Sequence, residues 1–287
     1  MSSRTSLPVP DLEVINQKPS VPSAAPPLLF VHGAFCGAWV WQENFLPWLA
    51  GQGFDVYALS LRGHGASGGY EHLSGTHVFE YMADVLSVMD RLPAPPILVG
   101  HSMGGMVVQR VIESFDVQDF SVKRPVQGAV LMSSVPPGGL WGTSLHMMTH
   151  DPSLLLQIVA LQNFGMSALS PQTIHRAMFS PTEPMEETRV YLERLQPESV
   201  AIQSDMTLAP PPVPANGRSI PMLVIGASED SFVPPWMAHL TARYYGAESQ
   251  VLNGVGHAMM LGTLWHQAAS VLREWLWRHW PPAGGRG

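Results

Sequence analysis

Apolar residues in this chain come in short runs, and between the runs they recur at helical spacing. Leu28-Leu29-Phe30-Val31, Ile97-Leu98-Val99 and Met222-Leu223-Val224-Ile225 are uninterrupted and bounded by proline or glycine. That is the pattern of a strand buried on both faces. Residues 54–59, 126–132 and 250–252 also read as strands, and Leu12, Val14 and Ile15 give 11–17 the character of a short edge strand. Residues 76–92 instead place Val78, Met82, Val85, Leu86 and Met89 at helical spacing. Further helices are predicted over 40–52, from 105 onward, over 235–245 and over 262–278.

Strands alternating with helices predict the α/β class, with a mostly parallel sheet and helices on both faces. Residues 26–136 and 219–282 form this core. The theme breaks over 137–218, a methionine-rich stretch with helical pieces at 154–164, 174–179 and 186–195 that ends in a proline tract at 210–214. Strand character resumes at 221 as if nothing had intervened. The stretch therefore reads as a helical lid inserted over the crevice that such sheets form at the carboxyl ends of their strands. Residues 1–25, rich in proline and serine, are expected to be a mobile arm outside the edge strand. Gly284-Gly285-Arg286-Gly287 is expected to be frayed.

Composition narrows the partners. The chain has 287 residues, 46% of them hydrophobic and 13% charged, which allows a sizeable buried core. Its net charge of −7 is spread without long runs, and lysine occurs only at 18 and 123. A clustered basic surface is missing, so no nucleic acid is expected as a partner. Cys36 is alone, which rules out an intrachain disulfide and a cysteine-based zinc cluster. No apolar run has bilayer length and residues 1–6 lack a signal-peptide core. A cytoplasmic protein without stable membrane insertion is expected, and its oligomeric state is left open.

The chemistry is concentrated at Gly100-His101-Ser102-Met103-Gly104, a G-x-S-x-G pattern. A strand precedes it and a helix follows, the setting of a nucleophile elbow, in which a sharp turn pushes the serine hydroxyl out at the top of the sheet. A serine needs a base to take its proton. Among 12 histidines, His257 in Gly254-Val255-Gly256-His257-Ala258 directly follows the last predicted strand. A surface or packing role is expected for His72, His77, His146, His150, His175 and His239, and the His101 side chain is expected to point away from the serine. The base needs an orienting carboxylate, and Gly226-Ala227-Ser228-Glu229-Asp230 follows the strand at 221–226. Asp230 is the choice, with Glu229 a rival and Asp205 a weaker one. Backbone N–H donors for an oxyanion are expected at Met103, after the serine, and at Ala34 in the loop His32-Gly33-Ala34-Phe35-Cys36-Gly37. Cys36 itself reads as a small packing residue.

These motifs, in this order, resemble the α/β-hydrolase superfamily over about residues 26–280. The segment His32-Gly33-Ala34-Phe35-Cys36-Gly37-Ala38-Trp39-Val40-Trp41 is similar to the oxyanion loop of plant-type methyl esterases and hydroxynitrile lyases. Arg62-Gly63-His64-Gly65-Ala66-Ser67 resembles a loop of bacterial esterases, lysophospholipase-like proteins and cofactor-free haloperoxidases. Gly256-His257 resembles the catalytic-histidine motif. The resemblance implies a triad of Ser102, Asp230 and His257, an oxyanion hole from Ala34 and Met103, and no cofactor or metal. Superfamily members that dehalogenate or open epoxides carry aspartate at the elbow, and hydroxynitrile lyases place a lysine in the pocket. Serine at 102 and the positions of Lys18 and Lys123 disfavour both. The implied activity is hydrolysis of a small-molecule carboxylic ester, in the esterase or lysophospholipase-like branch.

The apolar residues of the expected lid, Met147, Met148, Leu154, Leu155, Leu156, Phe164, Met166, Met178 and Phe179, suit an apolar substrate of small or medium size. Each of them also suits packing of the lid onto the sheet. Acyl transfer and cleavage of a thioester, an amide or a carbon–carbon bond use the same triad and stay open. So does a hydrolase-like ligand receptor with poor turnover.

Overall fold

The computed structural model describes residues 8–114, 126–164, 169–208, 210–212 and 220–281. The expectations for Lys123, Met166, Val213, Pro214 and Gly284–Gly287, and for the Leu154 and Phe164 side chains, fall outside what is described.

Among the described residues, the apolar runs form one seven-stranded sheet. Its strands are β1 (Val14–Gln17), β2 (Leu28–Val31), β3 (Val56–Leu59), β4 (Ile97–His101), β5 (Gly128–Met132), β6 (Met222–Ala227) and β7 (Glu248–Leu252), in the order β1-β3-β2-β4-β5-β6-β7. The edge strand β1 pairs antiparallel with β3, and every other pairing is parallel. Side chains alternate across the pleat. Phe30, Val99, Val130 and Ile225 face one way, against α1 (Trp39–Gln42), α2 (Phe45–Gly51) and α11 (Trp265–His279). Leu29, Val31, Leu98, Leu131 and Val224 face the other way, against α3 (Val78–Met89), α4 (Met103–Ser114) and α10 (Pro235–Tyr245). Both faces are dry, which is why the strand sequences are continuously apolar rather than alternating.

The helix predicted over 40–52 is two helices, α1 and α2. Pro47 lies in the first turn of α2 and has no N–H for the carbonyl of residue 43, so a single helix cannot run through it.

Between β5 and β6, which pair directly through Ala129↔Met222 to Met132↔Ile225, the chain makes five helices among the described residues. They are α5 (Trp141–His150), α6 (Pro152–Phe164), α7 (Pro171–Met178), α8 (Met185–Leu192) and α9 (Val200–Leu208). Sequence periodicity finds α6, α7 and α8 but not α5 or α9. Helix α5 begins Trp141-Gly142, and its apolar Trp141, Leu145 and Met148 are exposed. Helix α9 does carry a signal, because the Ser199 hydroxyl accepts the Ile202 N–H and caps it. Among the described residues no helix is long and apolar enough to cross a membrane.

Candidate active site

Loops at the carboxyl ends of β2, β3, β4, β6 and β7 meet at one end of the sheet. Ser102 sits in the turn between β4 and α4 with φ of +51°, a strained conformation for a residue with a Cβ. Tight packing holds the turn. A Cβ on Gly104 would lie 2.5 Å from the Val31 carbonyl oxygen, and one on Gly100 would lie 2.5 Å from the Gly104 carbonyl oxygen. Only glycine lets α4 start this close to β2 and β4.

Three of the sequence-predicted side chains are hydrogen-bonded in series. The Ser102 Oγ lies 3.0 Å from His257 Nε2, and His257 Nδ1 lies 2.9 Å from Asp230 Oδ2 and 3.0 Å from Oδ1. Asp230 Oδ1 also accepts the backbone N–H groups of Phe232 and Val233, each at 2.8 Å. Burial would raise the Asp230 carboxyl, but the adjacent His257 and these hydrogen bonds hold it below the usual carboxylate range. Its rivals are elsewhere. Glu229 is exposed and accepts the Ser228 hydroxyl, while Asp205 receives the Val78 N–H and faces His77.

Ala34 lines the same cavity as Ser102, and Met103 opens α4 directly after the serine. Among the described residues neither backbone N–H has an intramolecular acceptor. Cys36 lines the cavity too, with its thiol pushed up to about 12, chiefly by burial and then by nearby Glu198. It stays protonated at neutral pH and packs as a small apolar residue.

The cavity above Ser102 has a volume of about 170 Å³. Leu155, Ile174, Met178, Leu195, Val135 and Phe232 give it an apolar wall, drawn mainly from the segment between β5 and β6. The Phe232 ring packs 4.8 Å from the His257 ring and shields it from one side. Lys18 is exposed at the end of β1, away from this cavity. Among the described residues no three His, Cys, Asp or Glu side chains converge to hold a metal ion.

Several participants carry no readable sequence signal. His101, beside the serine, has its Nε2 2.9 Å from the His257 carbonyl oxygen, and its ring packs 4.7 Å from the His257 ring. Burial and then the neighbouring His257 push its pKa down to about 3, so it is a neutral donor. His32 is likewise pushed down to about 3, first by burial; its Nε2 accepts the Leu61 N–H and its Nδ1 faces the Gly33 carbonyl. These two histidines tie the loop after β2 to the end of β3 and the His257 loop to the end of β4.

The Alpha/beta hydrolase family matches residues 28–271. Epoxide hydrolase B of Mycobacterium tuberculosis is 33% identical over 89 residues, which is 31% of this chain and 25% of that protein. The chain therefore spans about a quarter of that relative's length. A pheophorbidase of Raphanus sativus is 25% identical over 220 residues, covering 72% of this chain and 77% of that protein. An esterase from Exiguobacterium antarcticum superposes with a TM-score of 0.70 at 15% identity, over 92% of this chain and 95% of that one. Seven strands in this order, a serine in the strained turn after β4 and a family match over residues 28–271 lead to one assignment. The chain belongs to the alpha/beta hydrolase family.

Proposed function

We propose that the protein is a serine hydrolase that cleaves the carboxylic ester of a small or medium apolar substrate. The observation that carries this reading is the unbroken hydrogen-bonded series Ser102–His257–Asp230 at the floor of an apolar cavity. In the proposed reaction His257 Nε2 takes the Ser102 proton as Oγ attacks the ester carbonyl. Asp230 holds His257 by Nδ1, fixes the tautomer that leaves Nε2 free to accept, and stabilises the imidazolium. The Ala34 and Met103 N–H groups receive the carbonyl oxygen as it gains charge. His257 then protonates the leaving alcohol, and a water molecule repeats the sequence on the acyl-enzyme to release acid and restore Ser102. No step calls on a metal or an organic cofactor.

Size supports an apolar group of modest bulk. A dry engineered cavity of about 150 Å³ accepts benzene, and the volume here is close to that. Serine rather than aspartate at the elbow disfavours the opening of an epoxide through a carboxylate nucleophile.

A series of p-nitrophenyl esters of increasing acyl length, on wild type and Ser102→Ala, tests the reading. Wild type should turn over short and medium chains best, and Ser102→Ala should be inactive on all of them. Equal turnover by both proteins contradicts the nucleophile assignment.

A further inference from the structure

The loop that carries the Ala34 N–H is held from outside the core. Phe35, the next residue, has φ of +64°, a left-handed conformation that costs about 1–3 kcal/mol and persists only where the surroundings impose it. Both of its backbone groups are held by one short segment of the insertion. Its N–H donates to Glu198 Oε2 at 3.2 Å, and its carbonyl accepts the Gln196 N–H at 2.9 Å. The Gln196 side chain meanwhile accepts the Gly65 N–H and donates to the Gly63 carbonyl, at 2.9 and 2.8 Å. Residues 196–198 thus clamp the loop after β2 to the loop after β3.

The Glu198 carboxylate is fully buried and fully partnered. Oε1 accepts the Tyr81 hydroxyl and the Ser199 N–H, each at 2.7 Å, and Oε2 lies 3.1 Å from His64 Nε2. The His64 Nδ1 in turn lies 3.0 Å from the Arg62 carbonyl oxygen. Both ring nitrogens therefore face acceptors, the arrangement of an imidazolium. Burial would neutralise both members. Glu198 raises the His64 pKa against that burial, and His64 lowers that of Glu198.

A lone buried carboxylate beside an oxyanion hole would oppose the charge that forms there. Paired with an imidazolium, it can hold a backbone N–H without that penalty. We propose that Glu198 is a positioning residue for acyl transfer: it fixes the Phe35 N–H, and so the loop bearing the Ala34 N–H, while His64 cancels its charge. The inference rests on the reading of Ser102 as nucleophile and Ala34 as oxyanion donor. It also gives the insertion a second task besides lining the cavity.

The test uses purified full-length Glu198→Gln, His64→Gln and the double variant, each checked for fold by thermal melting. Two readouts are taken: kcat and KM on p-nitrophenyl butyrate, and the second-order rate of labelling by a fluorophosphonate, whose phosphoryl oxygen needs the same oxyanion donors. Losing one oxyanion donor typically costs about 100- to 1000-fold, and loosening one should cost about 10- to 100-fold. Glu198→Gln should therefore lose that factor in kcat and in labelling rate, with KM little changed. His64→Gln, which strands the negative charge, should lose more, and the double variant should recover to the level of Glu198→Gln. Should Glu198→Gln fail to fold, Glu198→Asp keeps the charge but withdraws it from Phe35, and the same loss is expected. A wild-type labelling rate in a folded Glu198 variant, a loss carried by KM, or a double variant no better than His64→Gln overturns the proposal. Ser102→Ala run alongside separates the two levels. If it still labels and turns over, the nucleophile reading falls. If it is inert while Glu198→Gln labels normally, only the Glu198 inference falls.

Discussion

At the scale of single residues, the arrangement separates carboxylates that the sequence leaves side by side. Glu229 and Asp230 are neighbours after β6, yet Asp230 is buried against His257 and Glu229 is exposed. The backbone N–H groups of Phe232 and Val233 decide this by turning the chain around the Asp230 carboxylate. Asp230→Asn should lower kcat by about 10⁴-fold, the cost of presenting the histidine in the wrong tautomer, while Glu229→Gln should leave it unchanged. Steady-state kinetics on a p-nitrophenyl ester distinguish the two, and the reverse ranking would move the carboxylate role to Glu229. Ser102, His257 and the acidic pair could be read from the chain because each follows a strand and lies in a short motif. Glu198 could not: its partner His64 is 134 positions away, and nothing local marks a glutamate that will be buried. His101 gave no signal either, since its hydrogen bond runs to a backbone carbonyl 156 positions on.

At the scale of elements, strands were legible wherever both faces are covered, because continuous apolar runs such as Leu28–Val31 have few other uses. β7 was read as shorter than it is, since Glu248 and Ser249 are exposed at the sheet edge and carry no apolar signal. Helices were legible where one face is buried, as in α3, and illegible where the apolar face is left outside, as in α5. The elbow depends on the contact between α4 and β2. Gly104→Ala puts a methyl group against two backbone carbonyls that cannot rotate aside, so it should destabilise by about 2 kcal/mol or more. Urea denaturation should show a lower midpoint with an unchanged slope, and a wild-type midpoint would mean that the α4–β2 approach is looser than described. At the start of α9, Ser199→Ala removes the cap on Ile202 and the 2.6 Å hydrogen bond to the Thr76 carbonyl. A cost of about 1–2 kcal/mol is expected, read from the same measurement.

At the scale of the whole molecule, buried histidines set how stability responds to pH. His32 and His101 are pushed down to about 3 in the folded chain, so both stay neutral there through mildly acidic pH. In the unfolded chain they take up protons near pH 6.5. Below that pH the unfolded state binds more protons, and stability must fall as pH falls from about 6.5 toward 3. His64 acts in the opposite sense, because its folded pKa is raised by Glu198. Its contribution is complete below about pH 6.5 and is lost as pH rises through the folded value. Glu198 and Asp230, both held low, keep their contributions until the pH drops below about 4.5. The melting temperature should therefore peak near pH 6.5 and fall on both sides, and His101→Asn should flatten the acidic limb; a melting temperature that rises steadily from pH 6.5 to 4.5 would contradict the burial of neutral histidines. Whether Ser102 carries the acyl group is decided by quenching a reaction with p-nitrophenyl butyrate in acid during the first turnovers and mapping the added mass by peptide mass spectrometry. A butyryl group on the peptide containing Ser102, absent from Ser102→Ala, is the predicted result. Turnover with no adduct on that peptide, or an adduct on another residue that persists in Ser102→Ala, would contradict it.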